Sequence, residues 1–169
     1  MYKNSTLSAI VYGGIFMALT ILFTYVFAIQ TTFLRIDFAF IPISLYAIRF
    51  GTTKTIIMTA LADIIGSNLF MPGMYFPGFT LSAILASFIY SKFLYKQNIT
   101  LKRLFLMNLI VLLGVDCLLN NIWLTLIYKD ASSTFYFMRL IKSIILLPIK
   151  AIILFNIYKP LRSFITKYN

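Results

Sequence analysis

The chain contains no histidine and no glutamate, and its single cysteine, Cys117, lies inside an apolar stretch. One thiol cannot form an intrachain disulfide, so a buried and inert cysteine is the favoured interpretation. The missing histidine removes the usual zinc ligand and the commonest general base, and the only acids are four aspartates. The sequence therefore predicts a protein that is not an enzyme and that needs no metal and no cofactor.

Charge is also scarce. Only 11% of the residues are charged and 61% are hydrophobic, with a mean hydropathy of +0.93, whereas soluble domains have about 25% charged and about 45–50% apolar residues. No charged residue lies between Lys3 and Arg35, or between Asp63 and Lys92. A bilayer core needs about 20 helical residues to cross, and continuous apolar runs favour helices over a barrel. These features predict an integral membrane protein.

The apolar runs predict an all-α fold, a compact bundle of six transmembrane helices that forms a single domain over residues 1–169. The predicted helices are Thr6–Ile29, Ile36–Phe50, Thr53–Phe70, Phe79–Tyr95, Arg103–Tyr128 and Phe135–Tyr158. The second helix is short for a full crossing and carries Pro42, so we expect it to tilt or to stop below one surface. The segment Met71–Phe79 is predicted to be a loop, because two prolines and two glycines punctuate it.

The net charge of +11 is concentrated at the ends of the apolar runs, which argues against a nucleic-acid partner. With six crossings, ten basic residues fall on the side of the two termini and three on the opposite side. The positive-inside rule then places both termini in the cytoplasm. The loops Gln30–Arg35, Met71–Phe79 and Lys129–Ser133 face outward together, which predicts a pocket that opens outward.

Two aspartates, Asp63 and Asp116, lie within apolar stretches. A carboxylate at membrane depth is costly, so it normally faces a partner or a cavity. Each is either a ligand-binding or coupling acid or part of a structural pair with Lys150 or Arg139. For Asp63 both roles stay open, and for Asp116 the structural pair is favoured.

The outer half of the fifth helix carries a polar and aromatic cluster of Asn120, Asn121 and Trp123. An asparagine amide offers two donors and an acceptor, which suits the edge of a heterocycle, while an indole stacks on its face. A hydrogen bond between helices is the alternative. We favour the ligand-binding interpretation, because the cluster lies at the depth of the predicted pocket.

Aromatic and basic residues flank the same outer end. Tyr75, Phe76 and Phe79 form either an aromatic lid or an interfacial aromatic belt. Arg35 and Arg139, at the outer ends of helices two and six, either hold an anionic group through a bidentate fork or contact lipid headgroups.

Small residues recur four apart on the first helix, as Ala9-x-x-x-Gly13 and Gly14-x-x-x-Ala18. Such spacing lets another helix approach closely, either inside the bundle or from another subunit. The segment Gly51–Thr55 lacks the spacing of a phosphate-binding loop. Any ATP-driven transport must therefore use the ATPase of a partner.

Three segments resemble the substrate-binding (S) components of energy-coupling factor (ECF) vitamin transporters, and specifically the folate-specific branch. They are Arg35-Ile-Asp-Phe-Ala-Phe-Ile-Pro42, the segment that contains Tyr75-Phe-Pro-Gly-Phe-Thr-Leu-Ser-Ala83, and Asn120-Asn-Ile-Trp-Leu124, with Arg139 where a later arginine is expected. Their order along almost the whole chain is similar as well. Two departures are Asn121 in place of a threonine, which bears on substrate preference, and Gly14 in place of an alanine.

The resemblance implies a bacterial, Gram-positive cell-membrane protein that binds folate on its outer face. It also implies association with a transmembrane coupling subunit and two ATPase subunits, with the small-residue face of Ala9, Gly13, Gly14 and Ala18 as the docking site. The predicted substrate site comprises Arg35, Phe40, Asp63, Tyr75, Phe76, Pro77, Gly78, Phe79, Asn120, Trp123 and Arg139. The alternatives are an S component for another vitamin or heterocycle, a small membrane enzyme, and a structural bundle without a ligand.

Overall fold

The structure, a computed structural model, describes residues 5–30, 35–71, 75–127 and 133–166. For residues 5, 6, 30, 35, 133–136, 138, 139 and 161–166 it describes the backbone alone. In chain order the elements are α1 (Ser5–Ile21) with a π-helical end (Leu22–Val26), β1 (Ile29–Gln30), β2 (Arg35–Ile36), α2 (Phe40–Phe50), α3 (Thr52–Phe70), α4 (Pro77–Leu94), α5 (Leu101–Val111), a π-helical segment (Leu112–Leu119), α6 (Asn120–Ile127) and α7 (Ser133–Thr166).

Six helical rods result within the described residues, because α5, the π-helical segment and α6 continue into one another. Four rods are long and apolar enough to cross a membrane: Leu7–Val26, Pro77–Leu94, Leu101–Ile127 and Leu140–Pro160. The 11 residues of α2 span roughly 16 Å at a rise of about 1.5 Å per residue, about half of a bilayer core. The predicted six-helix membrane bundle is confirmed, and its second helix is short as expected.

The surface of the bundle is apolar and its interior is rich in small polar residues. On α1, Leu7, Ile10 and Val11 are each more than half exposed. Thr55, Ser87 and Ser91 are completely buried. This is the arrangement that lipid favours, because apolar side chains gain little by leaving lipid and small residues let helices pack closely.

Each helix of the bundle contacts at least one other helix. α3 lies between α1 and α4, α2 packs on α1 and α4, and α5 packs on α7. Gly51 joins α2 to α3 with a positive φ of 80°, a conformation that glycine adopts without steric cost. The hydrophobic core includes Tyr46, Leu104 and Met107. The Tyr46 hydroxyl donates to the Ala9 carbonyl oxygen at 2.9 Å and so ties α2 to α1.

The predicted end of the first helix at Ile29 is wrong. The helix widens to π-helical winding over Leu22–Val26 and ends at Phe27, whose N–H donates to the Leu22 carbonyl. Ile29 then pairs with Ile36 in an antiparallel two-stranded hairpin that follows the helix. Backbone pairing between β1 and β2 satisfies polar groups that an extended helix would have satisfied, and hydropathy does not distinguish the two solutions.

Two prolines account for the other shifted boundaries. The second helix begins at Phe40 and not at the predicted Ile36, because this start places Pro42 in the first turn, where a missing N–H has no cost. The fourth helix begins at Pro77 and not at Phe79, since proline is favoured at the first helical position. Part of the predicted Met71–Phe79 loop is therefore helical.

The fifth predicted helix contains an unexpected change of winding. It begins at Leu101, where the Thr100 side chain accepts a hydrogen bond from the Arg103 N–H, and it passes through eight π-helical residues before α6. Such segments are rare and are frequent at functional sites. The last helix is longer than predicted and spans Ser133–Thr166.

Gly66 provides the first test of this packing. A Cβ atom at Gly66 would overlap the Tyr25 ring, which is stacked on Phe70 at a centroid distance of 5.5 Å. We expect Gly66→Ala to lower the stability by about 1–3 kcal/mol, measured as the thermal unfolding midpoint in detergent. Gly114→Ala is the matched control, because a Cβ there meets no atom within 4 Å. Equal midpoints for the two variants would contradict this account.

Candidate functional site

Three aromatic residues, Phe76, Phe79 and Trp123, form a cluster, here called the aromatic group, that joins the start of α4 to α6. The Phe76 ring lies 5.8 Å from the Trp123 ring and 5.9 Å from the Phe79 ring, which it meets nearly edge-on. Pro77 and Gly78 form the first turn of α4 between the two phenylalanines. The structure thus brings the predicted aromatic segment and the predicted polar–aromatic cluster of the fifth helix together.

Gly78 makes this contact possible. It is buried, and a Cβ at this position would overlap the Phe76 ring and come within 2.6 Å of Trp123 Cδ2. Only a residue without a side chain lets both rings close over the helix start. Gly78 is therefore required by close approach and not by backbone conformation.

Asp63 is held by the first turns of α4. The Thr80 hydroxyl donates to Asp63 Oδ2 at 2.7 Å, and the Tyr75 hydroxyl lies 3.1 Å from the same Thr80 oxygen. A hydrogen bond to the charged form of a carboxylate is stronger than one between neutral groups. Thr80, which the sequence analysis did not single out, therefore links two predicted site residues.

Trp123 is anchored in the same way. Its Nε1–H donates to the Ser82 Oγ at 3.0 Å, and Ser82 is only 3% exposed. A buried indole N–H needs such a partner. The indole plane is thus fixed by its N–H on one edge and by Phe76 beside it, so its orientation is set before any ligand arrives.

Asn120 contributes a polar group without a partner. Its Nδ2 donates to Asp116 Oδ1 at 3.3 Å, while its Oδ1 is buried and has no hydrogen-bond partner in the described part of the chain. The same is true of Asn121 Oδ1. Buried polar atoms are almost always hydrogen-bonded, so both oxygens indicate places where a donor from water or a ligand belongs.

A second polar region lies among α5, the π-helical segment and α7. A cavity of about 50 Å³ is lined by Asp37, Asn108, Val111, Leu112, Asp116, Lys142, Ser143, Leu146, Leu147 and Lys150. Phe40, a predicted site residue, is 4% exposed in the hydrophobic core. Its ring centroid lies 5.4 Å from Lys150 Nζ, a cation–π distance.

Most residues around this cavity were not predicted to act together. Asp37 belongs to the segment Arg35–Pro42, and Lys142 and Lys150 lie within the apolar run of the last helix. Charged residues inside an apolar run are themselves a signal, because they seldom occur at membrane depth without a partner. Asp116 and its predicted structural partner Lys150 line the same cavity.

Comparison with known proteins supplies the relationship. The folate transporter FolT of Clostridium novyi (strain NT) is 35% identical over 152 residues, which cover 90% of this chain and 88% of the relative. The crystal structure of FolT bound with folic acid matches with a TM-score of 0.83 at 41% identity, over 88% of this chain and 90% of that chain. No protein-family model matches the chain.

The chain belongs to the FolT family of folate transporters. The resemblance to the folate-specific branch of vitamin-transporter S components is thereby confirmed. The relatives are transporters, so the prediction that the chain is not an enzyme is confirmed too. Together with the four apolar spans, the relationship identifies a multi-pass membrane transport protein.

The two predicted anion-binding arginines of this FolT-family chain have described backbones only. Arg35 lies in β2 and Arg139 in α7, and their side chains lie outside the described residues. β2 follows the π-helical end of α1, and Arg139 is the seventh residue of α7. Their role toward an anionic group stays a prediction.

The predicted docking face on α1 is divided by the structure. Ala9 is 5% exposed, and a Cβ at Gly13 would lie 3.2 Å from the Tyr46 hydroxyl oxygen, so these two residues face α2. Gly14 and Ala18 are exposed, and a Cβ at Gly14 meets no atom within 4 Å. Within this FolT-family bundle, one small-residue pair packs internally and the other faces outward.

Thr80 offers a test of the Asp63 network. Replacing Thr80 with valine keeps its shape but removes the hydroxyl that Asp63 and Tyr75 share. We expect a loss of about 1–3 kcal/mol, because a partly buried carboxylate loses a donor, measured as a lower thermal midpoint. Thr80→Ser retains the hydroxyl and is the matched control. A valine variant as stable as the wild type would contradict the network.

Proposed function

We propose that this chain is the membrane-embedded S component of an ECF-type ABC transporter, and that it captures folate at the outer face of a bacterial, Gram-positive cell membrane. Partner subunits then drive uptake with ATP. The observation that carries the proposal is the similarity, over nearly nine-tenths of both chains, to a FolT structure that holds folic acid.

The aromatic group suits the flat parts of folate. A folate has a pterin with donors and acceptors on its edge, a benzoyl ring and an anionic glutamate tail. Trp123 and Phe76 stand at a centroid distance of 5.8 Å with their planes inclined at 55°, and Phe79 stands beside them. These rings stack on or wall the pterin and benzoyl rings, and Gly78 leaves room for their approach.

Polar groups beside these rings suit the pterin edge. Asn120 Oδ1 is a buried acceptor without a partner among the described residues, and Asp63, held by Thr80, adds a carboxylate. An unsatisfied acceptor inside an apolar site favours a ligand with a matching donor and rejects one without it. Arg35 and Arg139 meet the glutamate carboxylates through charge-assisted hydrogen bonds in this proposal.

The outward-facing part of α1 is the proposed contact with the coupling subunit. Gly14 and Ala18 are exposed among the large apolar residues Ile10 and Ile15, which are 67% and 52% exposed. At Gly14 and Ala18 the side chains are small, which lets a second helix approach the α1 backbone closely. The ATPase subunits are separate chains in this proposal, since the sequence has no phosphate-binding loop.

Folate binding is directly measurable, because Trp123 is the only tryptophan. We expect one folate per chain to change the Trp123 emission with half-saturation below about 1 μM. Calorimetry on the detergent-solubilised protein gives the affinity independently of fluorescence. No response to folate, with saturation by a different vitamin, would replace folate by that vitamin as the substrate.

The residues of the site are checked in the same titration. We expect Asn120→Ala to weaken folate binding by about tenfold or more while the fold is retained. Asn98→Ala is the matched control, because Asn98 is exposed in the segment between α4 and α5. Equal folate affinity in both variants would remove Asn120 from the site.

A bulky side chain on the proposed docking face should weaken assembly with the coupling subunit and leave folate binding unchanged. Leucine at Gly14 fills the strip that we assign to the coupling subunit, so we expect Gly14→Leu to reduce copurification with that subunit while folate affinity stays unchanged. Gly114→Leu is the matched control, because a Cβ at Gly114 also meets no atom within 4 Å. Copurification of Gly14→Leu at the level of Gly114→Leu would contradict this face.

A further inference from the structure

The amide of Asn120 has two chemically different ends, and the end that faces the ligand decides what the ligand must offer. The Nδ2 end donates hydrogen bonds and the Oδ1 end accepts them. In the structure Nδ2 faces Asp116 and Oδ1 is the buried end without a partner in the described chain. The orientation of this one amide is therefore part of the specificity of the site.

The neighbouring carboxylate dictates the orientation. Asp116 Oδ1 accepts from Asn120 Nδ2 at 3.3 Å, one helical turn away. An ionised carboxylate can only accept hydrogen bonds, so a flipped amide would oppose two oxygens and lose the bond. Inside a helix bundle, where the dielectric constant is lower than in water, that difference is larger than it would be in bulk water.

The charge of Asp116 is balanced within the bundle. Asp116 lines the 50 Å³ cavity with Asp37, Lys142 and Lys150, and both aspartate charges act on Lys150. Two acids and two bases line the same cavity, so each charged group has groups of opposite charge nearby. The cavity is large enough for water, and Asn108 Oδ1, also without a partner among the described residues, lines it.

The winding of the fifth helix places this pair. Asp116 belongs to the π-helical segment, and Asn120 begins α6 with its backbone N–H bonded to the Val115 carbonyl. The π-helical segment ends at Leu119, directly before Asn120. Asp116 lines the cavity, and Trp123, three residues after Asn120, packs against Phe76.

We propose that Asp116 is a positioning residue that holds the Asn120 amide with its carbonyl oxygen toward the ligand, so that the site selects a ligand offering a hydrogen-bond donor at that point. The inference rests on the proposed function, since it takes Asn120 to contact folate. For folate the donor is an amino or ring N–H group of the pterin edge.

Ligand discrimination provides the test. The probes are folate and an analogue in which methyl replaces the pterin amino group. We expect the wild type to prefer folate by about tenfold or more. Asp116→Asn presents either a donor or an acceptor to Asn120, so we expect folate binding about tenfold weaker and the preference reduced to a few-fold. A purely structural role would weaken both ligands equally and leave their ratio unchanged.

Asp37→Asn is the matched control. It removes the same charge from the same cavity but leaves the carboxylate that is bonded to Asn120. We expect Asp37→Asn to retain the wild-type preference. In an Asn120→Ala background, Asp116→Asn should change the preference no further, because the group through which it acts is gone.

The outcomes separate the two proposals. A wild type that does not bind folate overturns the proposed function and this inference with it. Normal folate binding together with an unchanged preference in Asp116→Asn, or an equal loss of preference in Asp37→Asn, overturns the role of Asp116 alone. If Asp116→Asn does not fold because Lys150 lacks a counter-charge, the charge-balanced double variant Asp116→Asn, Lys150→Met makes the same measurement.

Discussion

Close packing of helices through small and hydroxyl-bearing residues is the constraint on which this structure depends. In lipid the hydrophobic effect does not draw leucine and isoleucine inward, so helices associate where backbones can approach. Several buried hydroxyls bond to carbonyl oxygens of the same chain segment, as Thr55 does to Gly51 at 2.7 Å and Ser91 to Ser87 at 2.8 Å. These two hydroxyl groups therefore have hydrogen-bond partners without water.

The candidate site includes buried polar atoms that have no hydrogen-bond partner in the described chain. Two hydroxyls in the first turns of α4 bond to other helices: the Thr80 hydroxyl donates to Asp63, and the Ser82 hydroxyl accepts from the Trp123 indole N–H. Near this junction the Asn120 and Asn121 carbonyl oxygens are buried without a described partner. In the proposed function these two buried acceptors receive hydrogen bonds from a ligand with complementary donors.

Sequence patterns located the helices well and their ends less well. Hydropathy placed all six helices, because a bilayer requires long apolar runs whatever the tertiary contacts. It missed the hairpin at Ile29, since a strand and a helix end are equally apolar there. The prolines indicate where two helices begin. Because proline is favoured in the first turn of a helix, Pro42 and Pro77 predict the observed starts of α2 and α4. The π-helical segment had no signal, because neither Gly nor Pro interrupts it in a way that predicts wide winding.

The sequence by itself determined that the chain lies in a membrane, that it forms six helices, and which polar residues interrupt their apolar runs, since these follow from composition and spacing alone. Only the tertiary structure decided which of those residues meet. Asp63 is paired with Thr80, Asp116 is joined to Asn120, and the small residues of α1 are divided between an inner and an outer face. Hydropathy carries no information on the rotation of a helix about its axis, because lipid accepts apolar side chains on every side. Packing against neighbouring helices sets that rotation.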